Sequence, residues 1–241
     1  MPDRLAGKNA LVTGGSRGIG YAIAVQYARE GAGVALLSRD QDALEAAAHR
    51  LAADVPGAVV LTAAADVTKL EQVEGAFGGV VDAMDHVDVL VNAAGIASLG
   101  DIDVMPPAEW RRMVEVNLVG SYHVCRAVWP HMKGRGAGSI ILVSSGSGRR
   151  AHAGWSAYCA SKFGVMGLAD ALAKEGRPHG IRCNVICPGP TDTDQRNANF
   201  PGEDRSKLLQ PEDVARAAVF LASDESRWVS GPGIDVRREP V

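Results

Sequence analysis

Short β-branched runs alternate strictly with longer segments of helical spacing along this chain, and that alternation limits its folds more than any other feature. Candidate strands cover residues 10–13, 34–37, 59–62, 87–91, 139–143 and 182–186. Between them, 19–29, 41–53, 69–84, 107–132 and 156–175 carry apolar residues at helical spacing. Such alternation argues for βαβ units and a parallel sheet covered on both faces, a doubly wound α/β domain. At 241 residues the chain is expected to form a single domain over 1–241. Ligands of such folds bind outside the carboxyl ends of the strands, so the residues just beyond each strand are the ones to inspect.

Composition excludes several other classes. A formal net charge of −3 with 22% charged residues describes a globular chain without a polyanion-binding surface, so nucleic acid is not an expected partner. The segment 1–8 is short and polar and lacks the apolar core of a signal peptide. No run of about 18 apolar residues suggests a membrane span, and a cytoplasmic location is expected. Cys125, Cys159, Cys183 and Cys187 form no CxxC pair and sit in apolar stretches, so neither disulfides nor a metal site is expected.

After the first candidate strand comes Thr13-Gly14-Gly15-Ser16-Arg17-Gly18-Ile19-Gly20, which opens the first helical stretch. Glycines there permit a sharp turn and close backbone approach to a pyrophosphate, whose charge is favoured at a helix N-terminus. Taken alone a glycine-rich turn is weak, but the strand before it and the helix after it favour a dinucleotide. The next strand ends Leu37-Ser38-Arg39, where an acidic residue often meets the ribose hydroxyls. Ser38 removes the carboxylate, and Arg39 and Arg17 can pair with a 2′-phosphate, which favours NADP(H) over NAD(H). The alternative is that Asp40 supplies the ribose contact and both arginines are surface charges; Asp40 is equally suited to cap the following helix.

Tyr158 and Lys162 lie four apart in a helical stretch and so project from one face. A nearby ammonium favours a phenolate and brings a tyrosine toward acid/base work near neutral pH. Some thirteen residues earlier, Ser144-Ser145-Gly146 follows the fifth strand, where a hydroxyl can hydrogen-bond the carbonyl oxygen of a substrate.

Jointly these residues resemble the short-chain dehydrogenase/reductase (SDR) family, in particular its 3-oxoacyl-(acyl-carrier-protein) reductase-like members, over about 8–224. The likeness rests on the glycine-rich Thr13–Gly20 turn, Asp66-Val67, Asn92-Ala93-Ala94-Gly95, Asn117, Ser145, Tyr158 with Lys162, and Pro188-Gly189. It implies a Rossmann-type fold of about seven parallel strands and NAD(P)-linked conversion between a carbonyl and an alcohol on a small molecule. By the same likeness, Tyr158 gives or takes the proton, Ser145 polarises the substrate oxygen, and Lys162 lowers the Tyr158 pKa and holds the nicotinamide ribose. Asn117 anchors a water relay, Gly14, Ser16, Gly18, Ile19 and Gly20 cradle the pyrophosphate, Asp66 and Val67 meet the adenine, and Asn92, Ala93 and Gly95 flank the cofactor. Pro188, Gly189, Thr191 and Thr193 lie at the nicotinamide, and a homo-oligomer is implied. Ala93 departs from the family's second asparagine. Val236-Arg237-Arg238-Glu239 replaces its usual Val-Asp-Gly-Gly, which places the terminal strand in doubt.

The polar stretch 196–210 reads as a long loop, and 192–209 as a substrate lid. His152 and Trp155, between Ser145 and Tyr158, are candidates to line the pocket, and Arg149-Arg150 to attract an anionic substrate. Two other functions fit the same residues: an NAD(H)-dependent alcohol dehydrogenase acting on a sugar, steroid or diol, and a dinucleotide-binding redox sensor without catalysis.

Overall fold

The computed structural model describes residues 3–231 and 233–238. Seven parallel strands form one sheet: β1 Asn9–Thr13, β2 Gly33–Ser38, β3 Val60–Ala64, β4 Val89–Asn92, β5 Gly138–Val143, β6 Ile181–Pro188 and β7 Gly233–Val236. Their order is β3-β2-β1-β4-β5-β6-β7, so the direction of winding reverses between β1 and β4. A crevice opens at that reversal, beyond the carboxyl ends of both strands.

Alternate residues on each strand serve opposite faces of the sheet, and both faces are covered. On one face Val12, Leu36, Val91 and Ile141 pack beneath helices α1 (Gly18–Arg29), α2 (Gln41–Asp54) and α8 (Pro211–Ala222). On the other, Leu11, Leu37, Leu90 and Leu142 pack beneath α3 (Leu70–Met84), α5 (Gly120–Arg135) and α6 (Ser156–Gly176). Central strands buried on two faces must be apolar at successive positions, which is why their sequences read as uninterrupted runs. The Tyr27 hydroxyl of α1 is fully buried and donates to the Ala218 carbonyl of α8 at 2.9 Å, so this large side chain enters the core without an unsatisfied oxygen. Among the described residues, no helix is long and apolar enough to cross a membrane.

Three details differ from the sequence-based expectations. The stretch 107–132 is not one regular α-helix: α4 (Pro107–Val114) passes into a π-helical turn at Glu115–Val119 before α5 begins. The 196–210 stretch is not irregular throughout, because α7 (Asp194–Asn199) opens it, capped by the Thr193 hydroxyl on the Arg196 N–H at 3.2 Å. The terminal strand forms despite its atypical sequence, with β7 pairing in register from Val185↔Gly233 to Pro188↔Val236. Glu239 lies outside the described residues.

Candidate active site

The turn between β1 and α1 is built where backbone must pass very close to backbone. Gly14 has φ +65° and donates from its N–H to the Leu37 carbonyl at 2.8 Å, and a Cβ there would meet the Ala94 nitrogen at 2.9 Å. A Cβ on Gly20 would stand 2.3 Å from the Gly14 carbonyl oxygen. Arg17, at the N-cap of α1, makes no side-chain cap, and the first turn contains no acidic residue. The helix therefore begins with N–H donors that no side chain satisfies and no carboxylate opposes, which suits a pyrophosphate. Ser16, Gly18 and Ile19 lie along the same turn, and Gly18 faces the methyl group of Thr193.

Ser38 ends β2, and Arg17 and Arg39 are both exposed beside it. Asp40 is engaged as the N-cap of α2, accepting from the Ala43 N–H at 3.1 Å. A third cation, not anticipated from the sequence, reaches this edge: Arg50 of α2 donates to the Ser16 carbonyl at 3.2 Å and lies over the Tyr21 ring. Burial opposes ionisation of Asp66, but hydrogen bonds from the Thr68 N–H and hydroxyl and the charge of Arg39 outweigh it and lower its pKa. Asp66 thus remains an acceptor beside Val67, whose carbonyl faces His123 Nδ1 at 2.9 Å.

A buried polar chain joins the two sides of the crevice. Thr13 donates its hydroxyl to Asn92 Oδ1 at 2.5 Å, Asn92 Nδ2 donates to Ser121 at 2.7 Å, and Ser121 donates to the Asn117 carbonyl at 2.6 Å. The Asn117 side chain clasps the loop after β4, accepting from the Ile96 N–H at 2.8 Å while donating to the Ile96 carbonyl at 2.9 Å. Its Nδ2 also reaches Ser161 of α6 at 3.0 Å. The π-helical turn that carries Asn117 explains how a mid-helix residue is aimed across the crevice, since a wider turn changes the direction in which its side chains project. Ala93 donates its N–H to the Thr13 carbonyl, and a Cβ on Gly95 would crowd Asn117 and Lys162 at 3.3 and 3.4 Å. The crevice floor is therefore tied together by β1, β4, the π-helical turn and α6.

Ser145, Tyr158 and Lys162 converge at the end of β5. The Ser145 hydroxyl accepts from the Ser147 N–H at 3.1 Å and stands near the Tyr158 phenol, whose pKa it lowers. Ser144 is turned inward, donating to the Lys162 carbonyl at 3.0 Å. Lys162 is buried, donates to the Val143 carbonyl at 2.9 Å, and its Nζ stands 5.7 Å from the centre of the Tyr158 ring. Burial drives Lys162 down to about 8. The expected lowering of Tyr158 by Lys162 is not found: burial raises the phenol, and the opposing pull comes from Ser145 and, more distantly, Arg196 instead.

The segment that carries α7 lies against this group. A cavity of about 420 Å³ is lined by Ser145, Tyr158, His152, Trp155, Pro188, Gly189, Thr191, Thr193 and residues of α7. Asn199 of α7 donates to the Ala97 carbonyl at 3.1 Å, which ties α7 to the loop after β4. Arg149 does not face this cavity's contents as an anion receptor: it is drawn to Asp235 of β7 at 2.6 Å and to the Gly233 carbonyl at 2.5 Å. That pairing helps hold the seventh strand on the sheet, and Arg237 pairs with the same carboxylate.

A family model described as short chain dehydrogenase matches residues 8–204. The chain belongs to the short-chain dehydrogenase family. It is 38% identical over 245 aligned residues, 98% of each chain, to the 3-oxoacyl-(acyl-carrier-protein) reductase FabG of Chlamydia trachomatis. It superposes on the crystal structure of levodione reductase with a TM-score of 0.92 and 28% identity, covering 97% of each chain. With carveol dehydrogenase from Mycobacterium avium, solved with NAD, the TM-score is 0.91 at 30% identity over 98% of each chain. This short-chain dehydrogenase is accordingly an NAD(P)-dependent oxidoreductase acting on CH–OH and C=O groups.

The dehydrogenase's buried lysine leads to a measurable linkage. Folded Lys162 releases its proton near pH 8, whereas a solvated lysine in the unfolded chain keeps it to 10.5. Between those values the unfolded chain binds more protons, so the penalty from this buried ammonium is full below pH 8 and fades as pH rises. Denaturant midpoints of the protein and of Lys162→Met should therefore differ more in favour of the variant at pH 7 than at pH 9.5. A pH-independent difference would place the lysine's charge outside the folding equilibrium.

Proposed function

We propose that this chain is an NADP(H)-dependent reductase that converts a ketone or 3-oxoacyl carbonyl to an alcohol, or runs the reverse, with Tyr158 as the acid/base. The observation that carries this reading is the convergence of Ser145 and Tyr158 on the cavity wall, with buried Lys162 5.7 Å from the centre of the Tyr158 ring. The bound dinucleotide supplies or takes the hydride. Ser145 holds the substrate oxygen by hydrogen bonding, and Tyr158 delivers its proton as charge gathers there. Lys162 carries positive charge at neutral pH and stabilises the phenolate that remains. Asn117 keeps the loop after β4 and α6 in register and anchors the water through which Lys162 is reprotonated. Thr191 and Thr193 meet the carboxamide, and 192–209 acts as the lid of a single-domain, cytoplasmic homo-oligomer.

The choice of NADP(H) rests on Arg17, Arg39 and Arg50 around the end of β2, with Ser38 where a carboxylate would repel a 2′-phosphate. The capping role of Asp40 leaves it poorly placed to select a free ribose. Titrating the protein with NADPH and NADH by fluorescence should give at least about tenfold tighter NADPH binding, consistent with charge-assisted pairing worth about 1.5–3 kcal/mol. Arg39→Asp should remove or invert that preference. Equal affinity in the parent protein would instead favour the second reading, an NAD(H)-dependent alcohol dehydrogenase, which the NAD-bound carveol dehydrogenase structure keeps in view. A non-catalytic sensor is disfavoured because Tyr158 and Lys162 are both present.

A further inference from the structure

The cavity's outer wall is aromatic, and its parts come from two separate elements. Trp155 precedes α6 and meets the Tyr158 ring edge-on at 5.5 Å. It also lies nearly parallel to Phe200, the residue after α7, with centroids 5.7 Å apart and planes inclined by 18°. His152 stands 6.3 Å beyond Trp155. The segment after β6 therefore contributes Phe200 to an aromatic stack beside the phenol.

Charge at this wall is cancelled locally. Arg196 is the one arginine or lysine that lines the cavity among the described residues. Its guanidinium lies 3.7 Å over the Phe200 ring and is held by both oxygens of Glu203, at 2.7 and 2.6 Å. The other nearby lid cation, Arg205, is bound to Asp192, and Arg149 is held by Asp235. A phosphate or carboxylate entering this cavity would lose its hydration without gaining an unpaired cation, a costly transfer. Space is also limited, because Ile19, Pro188, Gly189 and Thr193 line the side of the 420 Å³ cavity that opens on the glycine-rich turn and the dinucleotide.

We propose that Trp155, backed by Phe200, forms a stacking wall that selects a compact, uncharged cyclic ketone or secondary alcohol, in preference to an acyl chain carried on an anionic thioester. The proposal rests on the carbonyl-reduction reading above and narrows its substrate. The ring lies against the face of Trp155 that Phe200 leaves open, an arrangement that rewards flat apolar area and offset stacking. Its carbonyl then points to Ser145 and Tyr158. The reaction remains balanced as before: the carbonyl carbon gains the hydride of the reduced dinucleotide, and its oxygen gains the Tyr158 proton, which solvent replaces.

Steady-state assays with NADPH and two probes, 1-tetralone and acetoacetyl-coenzyme A, test the idea. Tetralone should be favoured in kcat/KM by about tenfold or more. Trp155→Ala and Phe200→Ala should each raise its KM by roughly tenfold with a smaller change in kcat, and Trp155→Phe should restore most of the loss, because a second flat ring keeps the stack. A preference for acetoacetyl-coenzyme A, or a tetralone KM indifferent to both alanine variants, would overturn the proposal while leaving carbonyl reduction intact. If neither probe is turned over, tetralone should still quench tryptophan fluorescence in the NADP-loaded protein, and Trp155→Phe should abolish that quenching. Quenching without turnover would retain the stacking wall and reject the reduction reading; no quenching and no turnover would reject the wall as well.

Discussion

Tyr158→Phe is expected to reduce ketone turnover by at least about 10³-fold, within or beyond the usual reach of general acid–base catalysis, while leaving dinucleotide affinity nearly unchanged. The substitution removes one oxygen and little else. The ring's edge contact with Trp155 and its place in the small cluster with Met105, Met113 and Ala157 involve carbon atoms that phenylalanine keeps. Ser145 retains its bond from the Ser147 N–H, and Lys162 retains its bond to the Val143 carbonyl. The oxygen itself is the group under strain: burial raises its pKa, and only Ser145 and Arg196 pull it down. A buried phenol with so little compensation holds its proton until an acceptor arrives, which suits an acid in the reductive direction. Single-turnover rates in the variant, measured beside an NADPH titration, separate the two effects. A variant that binds NADPH normally and still reduces the ketone at more than about a tenth of the parent rate would remove Tyr158 from the proton transfer.

Much of this arrangement was legible in the chain because it depends on local rules. Buried parallel strands must be apolar throughout, so the first six strands stood out within a few residues of their ends. The glycine turn could be read because Gly14 and Gly20 occupy places where any side chain meets backbone. Tyr158 and Lys162 could be paired because helical spacing alone puts them on one face. Features set by tertiary contact escaped. Nothing in the stretch around Asn117 marks a π-helical turn; it forms where the Asn117 amide grips Ile96 from another element. Ser121 and Ser161 are ordinary helix serines until the fold lines them up with Asn92 and Asn117. Arg50 is a surface residue of α2 that reaches the turn only because α2 packs beside α1. Arg149 was a candidate anion receptor by sequence, yet an acidic partner 86 residues away claims it. The same contact rescues a terminal strand whose own residues depart from the family pattern, since β7 is secured by its register with β6 and by Arg149 rather than by a glycine pair.

Gly20→Ala should cost more binding than stability, and it tests the turn as a phosphate cradle. The new Cβ would lie 2.3 Å from the Gly14 carbonyl oxygen, 2.8 Å from its carbon and 3.2 Å from the Thr13 oxygen, all backbone atoms that cannot swing aside. Relief requires the start of α1 to move away from the end of β1. That shift is opposed by the Gly14 N–H bond to Leu37 and by the crowding of Gly14 against Ala93 and Ala94. Overpacking of this kind costs about 1–3 kcal/mol, which for a chain of this length lowers the melting temperature by about 2–12 °C. The sheet itself is untouched, so the protein should still fold. The donors at the head of α1 would no longer converge on one point, and their attraction for an anion depends on that convergence and on close approach. NADPH affinity should therefore fall by about 100-fold or more, whereas Gly57→Ala, at a surface turn with nothing within 4 Å of its Cβ, should disturb binding little even though its φ of +85° strains the backbone. Equal losses of melting temperature in the two variants with NADPH affinity retained in Gly20→Ala would show that the turn is a structural corner and not the dinucleotide site.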